Sequence, residues 1–144
     1  MQKVTFVIGA NAAGKTYFIE HHLASEKAVV LNIYDYQQKV YDEHGNKELI
    51  TFEEQFRCLK KANEKHLHDI INELKQGNDV IAEQTFFKAK RRIAYIDEIR
   101  KEMDVKIEVY VMYPSNKRWI ENSKKREDIE NIEVYENQKK QMEF

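Results

Sequence analysis

The chain of 144 residues has one cysteine, one proline and four glycines, and its positive and negative charges nearly cancel. Each shortage excludes something. With Cys58 alone no intramolecular disulfide can form, so a reducing cytoplasmic setting is expected. Cys58 lies in the helical pattern Phe56-Arg-Cys-Leu59 and reads as a packed side chain rather than a nucleophile. One proline and few glycines leave no linker, repeat or low-complexity segment, so the whole chain, 1–144, reads as one domain. No stretch approaches the roughly 18 apolar residues that cross a bilayer. The first residues carry no secretory pattern, because Lys3 runs directly into a short strand-like segment that ends in glycine. The formal net charge of -1 supplies no general field for nucleic acid, so only a local basic patch could bind it.

What is present is an alternation of apolar runs and amphipathic stretches. Val4 to Ile8 is a short run of the kind buried on both faces of a sheet, and Ala28 to Ile33 reads as a second buried strand. Lys15 to Ala24 reads as a helix between them. Tyr34 to Ile50 carries turn signals around His44-Gly45-Asn46 and is expected to be irregular. Thr51-Phe-Glu-Glu54 is a capping box that opens a helix to about Gln76, stopped at Gly77. Its inward stripe reads as Phe52, Phe56, Leu59, Leu67, Ile70, Ile71 and Leu74. Asp79 to Ala82 is a third strand. Lys88 to Met103 is a helix with Ile93, Ile96 and Ile99 inward, and Val105 to Met112 is a fourth strand before Pro114. Ser115 to Arg126 and Ile132 to Met142 close the chain as helices. The alternation predicts an α/β fold with a mostly parallel sheet of four to five strands flanked by helices.

The segment Gly9-Ala10-Asn11-Ala12-Ala13-Gly14-Lys15-Thr16 follows a strand and opens a helix, with Tyr17 next in line. This is the Walker A phosphate-loop pattern in its required context. Backbone N–H groups of such a loop form a nest for phosphate oxygens, and the helix adds its free N-terminal donors. Lys15 reaches the β and γ phosphates, and the Thr16 hydroxyl can ligate Mg²⁺. The expected ligands are therefore Mg²⁺ and a nucleoside triphosphate, with ATP as the default donor and nothing in the loop to separate ATP from GTP.

Ligand crevices in parallel sheets lie beyond the carboxyl ends of the strands. The first carboxylate past the second strand is Asp35, a candidate base for an acceptor hydroxyl; the competing reading is a turn or capping aspartate. The third strand ends Glu83-Gln84-Thr85. Glu83 is a candidate for the Mg²⁺ shell, and Thr85 is either a site residue or a cap for the next helix. Lys88-Ala-Lys-Arg91-Arg92 is either a solvated face or a phosphate-contacting patch. Phe86 and Phe87 either pack in the core or stack on a base. Arg118, Asn122, Lys125 and Arg126 share one helical face, the arrangement of a basic lid, with Trp119 and Ile120 left to anchor it.

These residues resemble the phosphate-loop kinases of the polynucleotide kinase type, the bacteriophage 5′-kinase domain among them. The likeness runs over nearly the whole chain. It rests on Gly9 to Thr16, on the interval from Lys15 to Asp35, on Thr85 followed by Arg91-Arg92, on Asn122-Ser-Lys-Lys125, and on the closing helix from Ile132. It implies a compact kinase-type phosphate-loop fold in three layers with a helical lid, and transfer of the ATP γ-phosphate to the 5′ hydroxyl of nucleic acid or to a nucleotide-like acceptor. It makes Lys15, Asp35 and Arg126 catalytic, and places Asp35, Gln38, Glu83, Thr85, Arg91 and Arg92 on the acceptor side. Four positions depart from the family: Gln38 stands for an arginine, Gln84 for an aspartate, Glu121 for the first lid arginine and Lys125 for the second, with Arg126 beside it. Glu83-Gln-Thr85 is also similar to the Glu-x-Thr of zeta-toxin-type kinases, which act on nucleotide sugars. A nucleotide-binding regulator with little catalysis is the reading from a different class. Neither the acceptor nor the oligomeric state is named by the residues.

Replacing Lys15 with alanine removes a charge-assisted contact worth about 1.5–3 kcal/mol. ATP affinity measured by calorimetry should drop roughly 10-fold or more; equal affinity would refute the phosphate-loop assignment.

Overall fold

The computed structural model describes residues 1–45, 51–86, 88–124 and 132–143. The elements run β1 (Lys3–Gly9), α1 (Lys15–His22), β2 (Ala28–Asn32), α2 (Ile33–Glu43), α3 (Phe52–Lys75), β3 (Asp79–Gln84), α4 (Ala89–Glu102), β4 (Lys106–Met112), α5 (Asn116–Ser123) and α6 (Ile132–Gln141). Among the described residues the strands form one four-stranded sheet in the order β2-β3-β1-β4. Every pairing is parallel: Val4 aligns with Val80 and with Ile107, and Val30 with Ile81. The expected parallel α/β architecture is therefore present.

Side-chain alternation along the central strands assigns the two faces. Val4, Phe6 and Ile8 of β1 point to one face with Val80 and Ala82 of β3, where Ile70 and Leu74 of α3 and Tyr95 and Ile99 of α4 cover them. Val7 and Ile81 point to the other face and meet Ile19 and Leu23 of the α1 side. Helices on both faces of a sheet give three layers.

Several local expectations change. The segment after β2 is helical rather than irregular: the Asn32 side chain accepts from the Tyr34 N–H and starts α2, and Ile33 and Val40 pack against Cys58 and Ala62 of α3. The turn signal at His44-Gly45 marks the end of this helix, with Gly45 at φ 91°; Asn46 to Ile50 lie outside the described residues. β2 is an edge strand, half-buried along its length, with Val30 48% exposed. The capping box is formed in full, Thr51 Oγ1 accepting from the Glu54 N–H and Glu54 accepting from the Thr51 N–H.

The inward stripe of α3 is Cys58, Ala62, His66, Ile70 and Leu74, whereas Phe52 and Phe56 stand exposed. Small and polar side chains win this face because α2 and the sheet edge approach closely and because His66 finds partners there. Its Nε2 lies 2.9 Å from the Leu31 carbonyl and its Nδ1 3.1 Å from the Tyr95 hydroxyl. On α4, Ile93 is exposed and Tyr95 takes the inward position, for the same reason: its hydroxyl donates to Asn63 O at 2.9 Å. β3 extends two residues beyond its expected end, carrying Glu83 and Gln84 inside the sheet.

Burial pushes the His66 imidazole below its ordinary value of 6.5, against the opposing bond to Leu31. The unfolded chain then binds the extra proton between the two values, so stability falls as pH drops below about 6.5. Proton NMR of the His66 ring should show a midpoint under 6.5; a midpoint above it would contradict the buried neutral ring.

Candidate functional site

The phosphate loop emerges from the centre of the sheet. Gly9 ends β1 at φ 152°, and a Cβ there would lie 2.7 Å from the Met112 carbonyl at the end of β4. Only glycine lets the chain turn in that space. Ala12 adopts a left-handed φ of 62°, and Gly14, at φ 96°, occupies the N-cap of α1 with no side-chain cap bond. Gly14 supplies no side-chain acceptor to the start of α1, and no acidic residue sits in its first turn. Free donors and an unopposed positive dipole end are what an anion needs.

Lys15 is only 4% exposed. Its ammonium donates to Gly9 O at 2.5 Å, to Ala10 O at 3.0 Å and to the Tyr34 hydroxyl at 3.1 Å, and sits 5.1 Å from the Tyr34 ring centroid. The charge is therefore held inside the loop by neutral acceptors, which phosphate oxygens can replace with stronger, charge-assisted bonds. The Thr16 hydroxyl donates to Glu83 Oε1 at 3.0 Å, across 67 residues of sequence. Glu83 is 3% exposed. Among the described residues no cluster of three or more metal-ligating side chains occurs. A hydroxyl beside one carboxylate suits Mg²⁺, which takes one or two protein oxygens together with substrate phosphates and waters.

These groups line a cavity of about 660 Å³, a volume in the range of small-molecule sites. Its walls include Asn11 to Tyr17, Tyr34, Glu83, Arg118 and Asn122. Two bonds tie α5 to the loop: Trp119 Nε1 donates to Asn11 O at 2.8 Å and Asn122 Nδ2 to Ala12 O at 3.0 Å. Behind them the Trp119 and Tyr135 rings stack at 4.9 Å, and the Tyr135 hydroxyl donates to Pro114 O at 2.5 Å. Burial pushes that phenol up to about 12, so it remains a donor at physiological pH. The anchoring reading of Trp119 thus holds, while Ile120 is 38% exposed. Lys125 and Arg126 lie outside the described residues.

The acceptor-side residues are spread more widely. Asp35 is in the first turn of α2, exposed, and lines a groove between α2 and α3 with Lys39, Lys61 and Lys65. That groove meets the loop cavity at Asn32, which lines both. Asn32 fills the cap position, so Asp35 is not the capping side chain. Gln38 is exposed and donates to Asp42 at 2.8 Å. Thr85 does not cap α4, whose N-cap is Lys88; its hydroxyl and its N–H both donate to Gln84 Oε1. Arg92 donates to Phe86 O at 2.8 Å and to Glu143 O, bracing the end of the chain, while Arg91 lines a separate cavity. Phe86 packs in the core, and Phe87 lies outside the described residues.

Over residues 4–144 the chain matches the family described as AAA domain. The chain belongs to that family. None of the curated proteins searched matches it. Among solved structures it is similar to a chain of the Pnkp1/Rnl/Hen1 RNA repair complex (TM-score 0.73, 18% identity), covering 98% of this chain and 44% of that one. A sugar kinase from Janibacter sp. HTCC2649 (TM-score 0.67, 13% identity) is covered over 100% of this chain and 79% of its own. A gluconokinase from Sinorhizobium meliloti 1021 (TM-score 0.62, 14% identity) is covered over 99% and 75%. The likeness establishes a kinase-like phosphate-loop fold, and the chain spans less than half of the RNA repair chain. Among the described residues no helix is long and apolar enough to cross a membrane.

Tyr34 is the site residue that sequence reasoning passed over. It follows β2 by the same rule that selected Asp35, which looked only for a carboxylate, and it opened the segment expected to be irregular. Replacing Asn122 with alanine removes the bond that holds Ala12, at a net cost of about 1 kcal/mol. Nucleotide affinity, read from the fluorescence of the sole tryptophan, should fall roughly fivefold with no change in melting temperature above a few degrees.

Proposed function

We propose that the protein is an ATP-dependent phosphotransferase that moves the γ-phosphate to a hydroxyl of a nucleic-acid 5′ end or a nucleotide-like acceptor. The observation that carries this reading is the joint placement of Lys15, Thr16 and Glu83 at the uncapped start of α1. The loop N–H groups and the α1 N-terminus bind the phosphates, and Lys15 exchanges its carbonyl partners for phosphate oxygens as charge accumulates. Thr16 and Glu83 would hold Mg²⁺, which neutralises the developing charge when bound. Arg118 lines the same cavity and adds a positive charge to it.

The acceptor oxygen attacks the γ-phosphorus, the bond from that phosphorus to the β–γ bridging oxygen breaks, and ADP leaves with the electron pair. Asp35 takes the proton from the acceptor hydroxyl, which must then enter from the α2–α3 groove that meets the loop cavity at Asn32. Arg126 and Lys125 complete the lid by resemblance to the polynucleotide kinase type, and Thr85 and Arg91 belong to the acceptor side. Similarity to a chain of an RNA repair complex supports a nucleic-acid acceptor. The sugar kinase and gluconokinase folds support a second reading, a small sugar or sugar-nucleotide acceptor.

Incubation with γ-labelled ATP and a panel of oligonucleotides, nucleosides, sugars and sugar nucleotides separates the two. Label is expected on a 5′ hydroxyl; label only on sugars selects the second reading, and label only as free phosphate rejects both. Asp35→Asn should leave ATP binding intact and slow transfer by about 10²-fold. An unchanged rate would remove Asp35 from the chemistry.

A further inference from the structure

A second cavity, of about 380 Å³, lies between α3 and α4 and shares no lining residue with the phosphate-loop cavity. Its lining includes the aromatic Phe56, Phe86 and Tyr95 and the apolar Leu59 and Leu67. Phe56 is 56% exposed although it belongs to this wall. Phe86 is held at φ 41°, a left-handed conformation that costs a bulky residue about 1–3 kcal/mol. Its ring is fixed edge-on to Tyr95 at 4.7 Å. Phe86 and Tyr95 are buried and form the base of the cavity, so the exposed Phe56 ring is the one left to face a ligand.

The polar groups select the ligand. Arg91 and Lys60 line the cavity opposite Glu64 and Glu98, so the charges balance and an anion gains nothing from the walls as a whole. Among the described residues the Arg91 guanidinium has no hydrogen-bond or ion-pair partner. Asn63 lines the cavity and accepts from Gln84 Nε2 at 3.1 Å. An aromatic face, a guanidinium without a partner among the described residues, an amide and two carboxylates around a neutral cavity suit a planar ring with both donors and acceptors on its edge. A nucleobase has that chemistry, and bases stack on aromatic side chains and arginine planes.

We propose that the α3–α4 cavity is a nucleobase site, distinct from the phosphate-loop cavity. The two sites are joined through adjacent residues of β3: Glu83 accepts from Thr16, and Gln84 bonds to Asn63. This goes beyond the proposed function, whose acceptor hydroxyl enters from the α2–α3 groove on a different face of α3, and nucleoside binding here does not depend on phosphoryl transfer. A protein that binds nucleosides and transfers nothing, or the reverse, separates the failure of one idea from that of the other.

The test is calorimetric titration of adenosine, guanosine, cytidine and uridine, without ATP, into the full chain carrying Lys15→Ala. At least one nucleoside should bind. Phe56→Ala and Arg91→Ala should each weaken it about tenfold, the size of one lost stacking partner. Ala94→Trp, which fills the cavity from an exposed lining position, should abolish binding. Thermal melting of each variant verifies the fold. Absence of nucleoside binding overturns the proposal, as does unchanged affinity in folded Phe56→Ala and Ala94→Trp proteins. Indole binding as tightly as the nucleosides, with no loss in Arg91→Ala, also overturns it, since the cavity would then be merely apolar.

Discussion

The tight passage of Gly9 beneath the Met112 carbonyl governs the rest of the molecule. β1 is the inner strand between β3 and β4, so its end is walled on both sides. The chain can leave only upward, over the carboxyl edge of the sheet, and a side chain at Gly9 would close that exit. The loop is therefore held against β4 on one side, and against Glu83 of β3 through Thr16 on the other. Parallel register makes all four strand ends converge at this edge, which is why residues 67 positions apart meet there.

The loop is also held from outside. The helix after β4 reaches the loop directly: α5 donates two hydrogen bonds into loop carbonyls and stacks Trp119 on Tyr135 of α6. The Asn11 and Ala12 carbonyls are thereby satisfied by α5. These bonds brace Ala12 in a left-handed conformation it would not choose alone. Lys15 completes the balance by bonding the inward carbonyls of Gly9 and Ala10. Tyr34 extends that balance to α2, the helix that carries Asp35, so occupancy of the loop and the setting of α2 share one ammonium group.

A polar network runs behind this site. Leu31 O, His66, Tyr95, Gln84 and Asn63 are linked in a chain of hydrogen bonds between the sheet, α3 and α4. Burial keeps His66 below its ordinary value and pushes the Tyr95 phenol above its own, so both stay neutral. These partnered groups set the helix faces: α3 turns His66 inward and leaves Phe56 out. The same choice opens the aromatic cavity beside α4.

The residues alone determined whatever depends on neighbours in the chain. The glycines, lysine and threonine of the phosphate loop, the capping box at Thr51 and Glu54, and the buried run of β1 each carry their physical reason within a few positions. Strand–helix alternation was enough for a parallel sheet. Tertiary structure decided what depends on distant partners. Hydrophobic periodicity favoured Phe52, Phe56 and Ile93 as core, yet His66 and Tyr95 occupy the inward faces because their hydrogen-bond partners lie on other elements. The α2 helix was hidden because its C-terminal glycine turn was legible while its packing against Cys58 and Ala62 was not. Thr16 meets Glu83, and Lys15 meets Tyr34, only because parallel pairing brings the ends of β1, β2 and β3 to one edge. Spacing along the chain contains no measure of that approach.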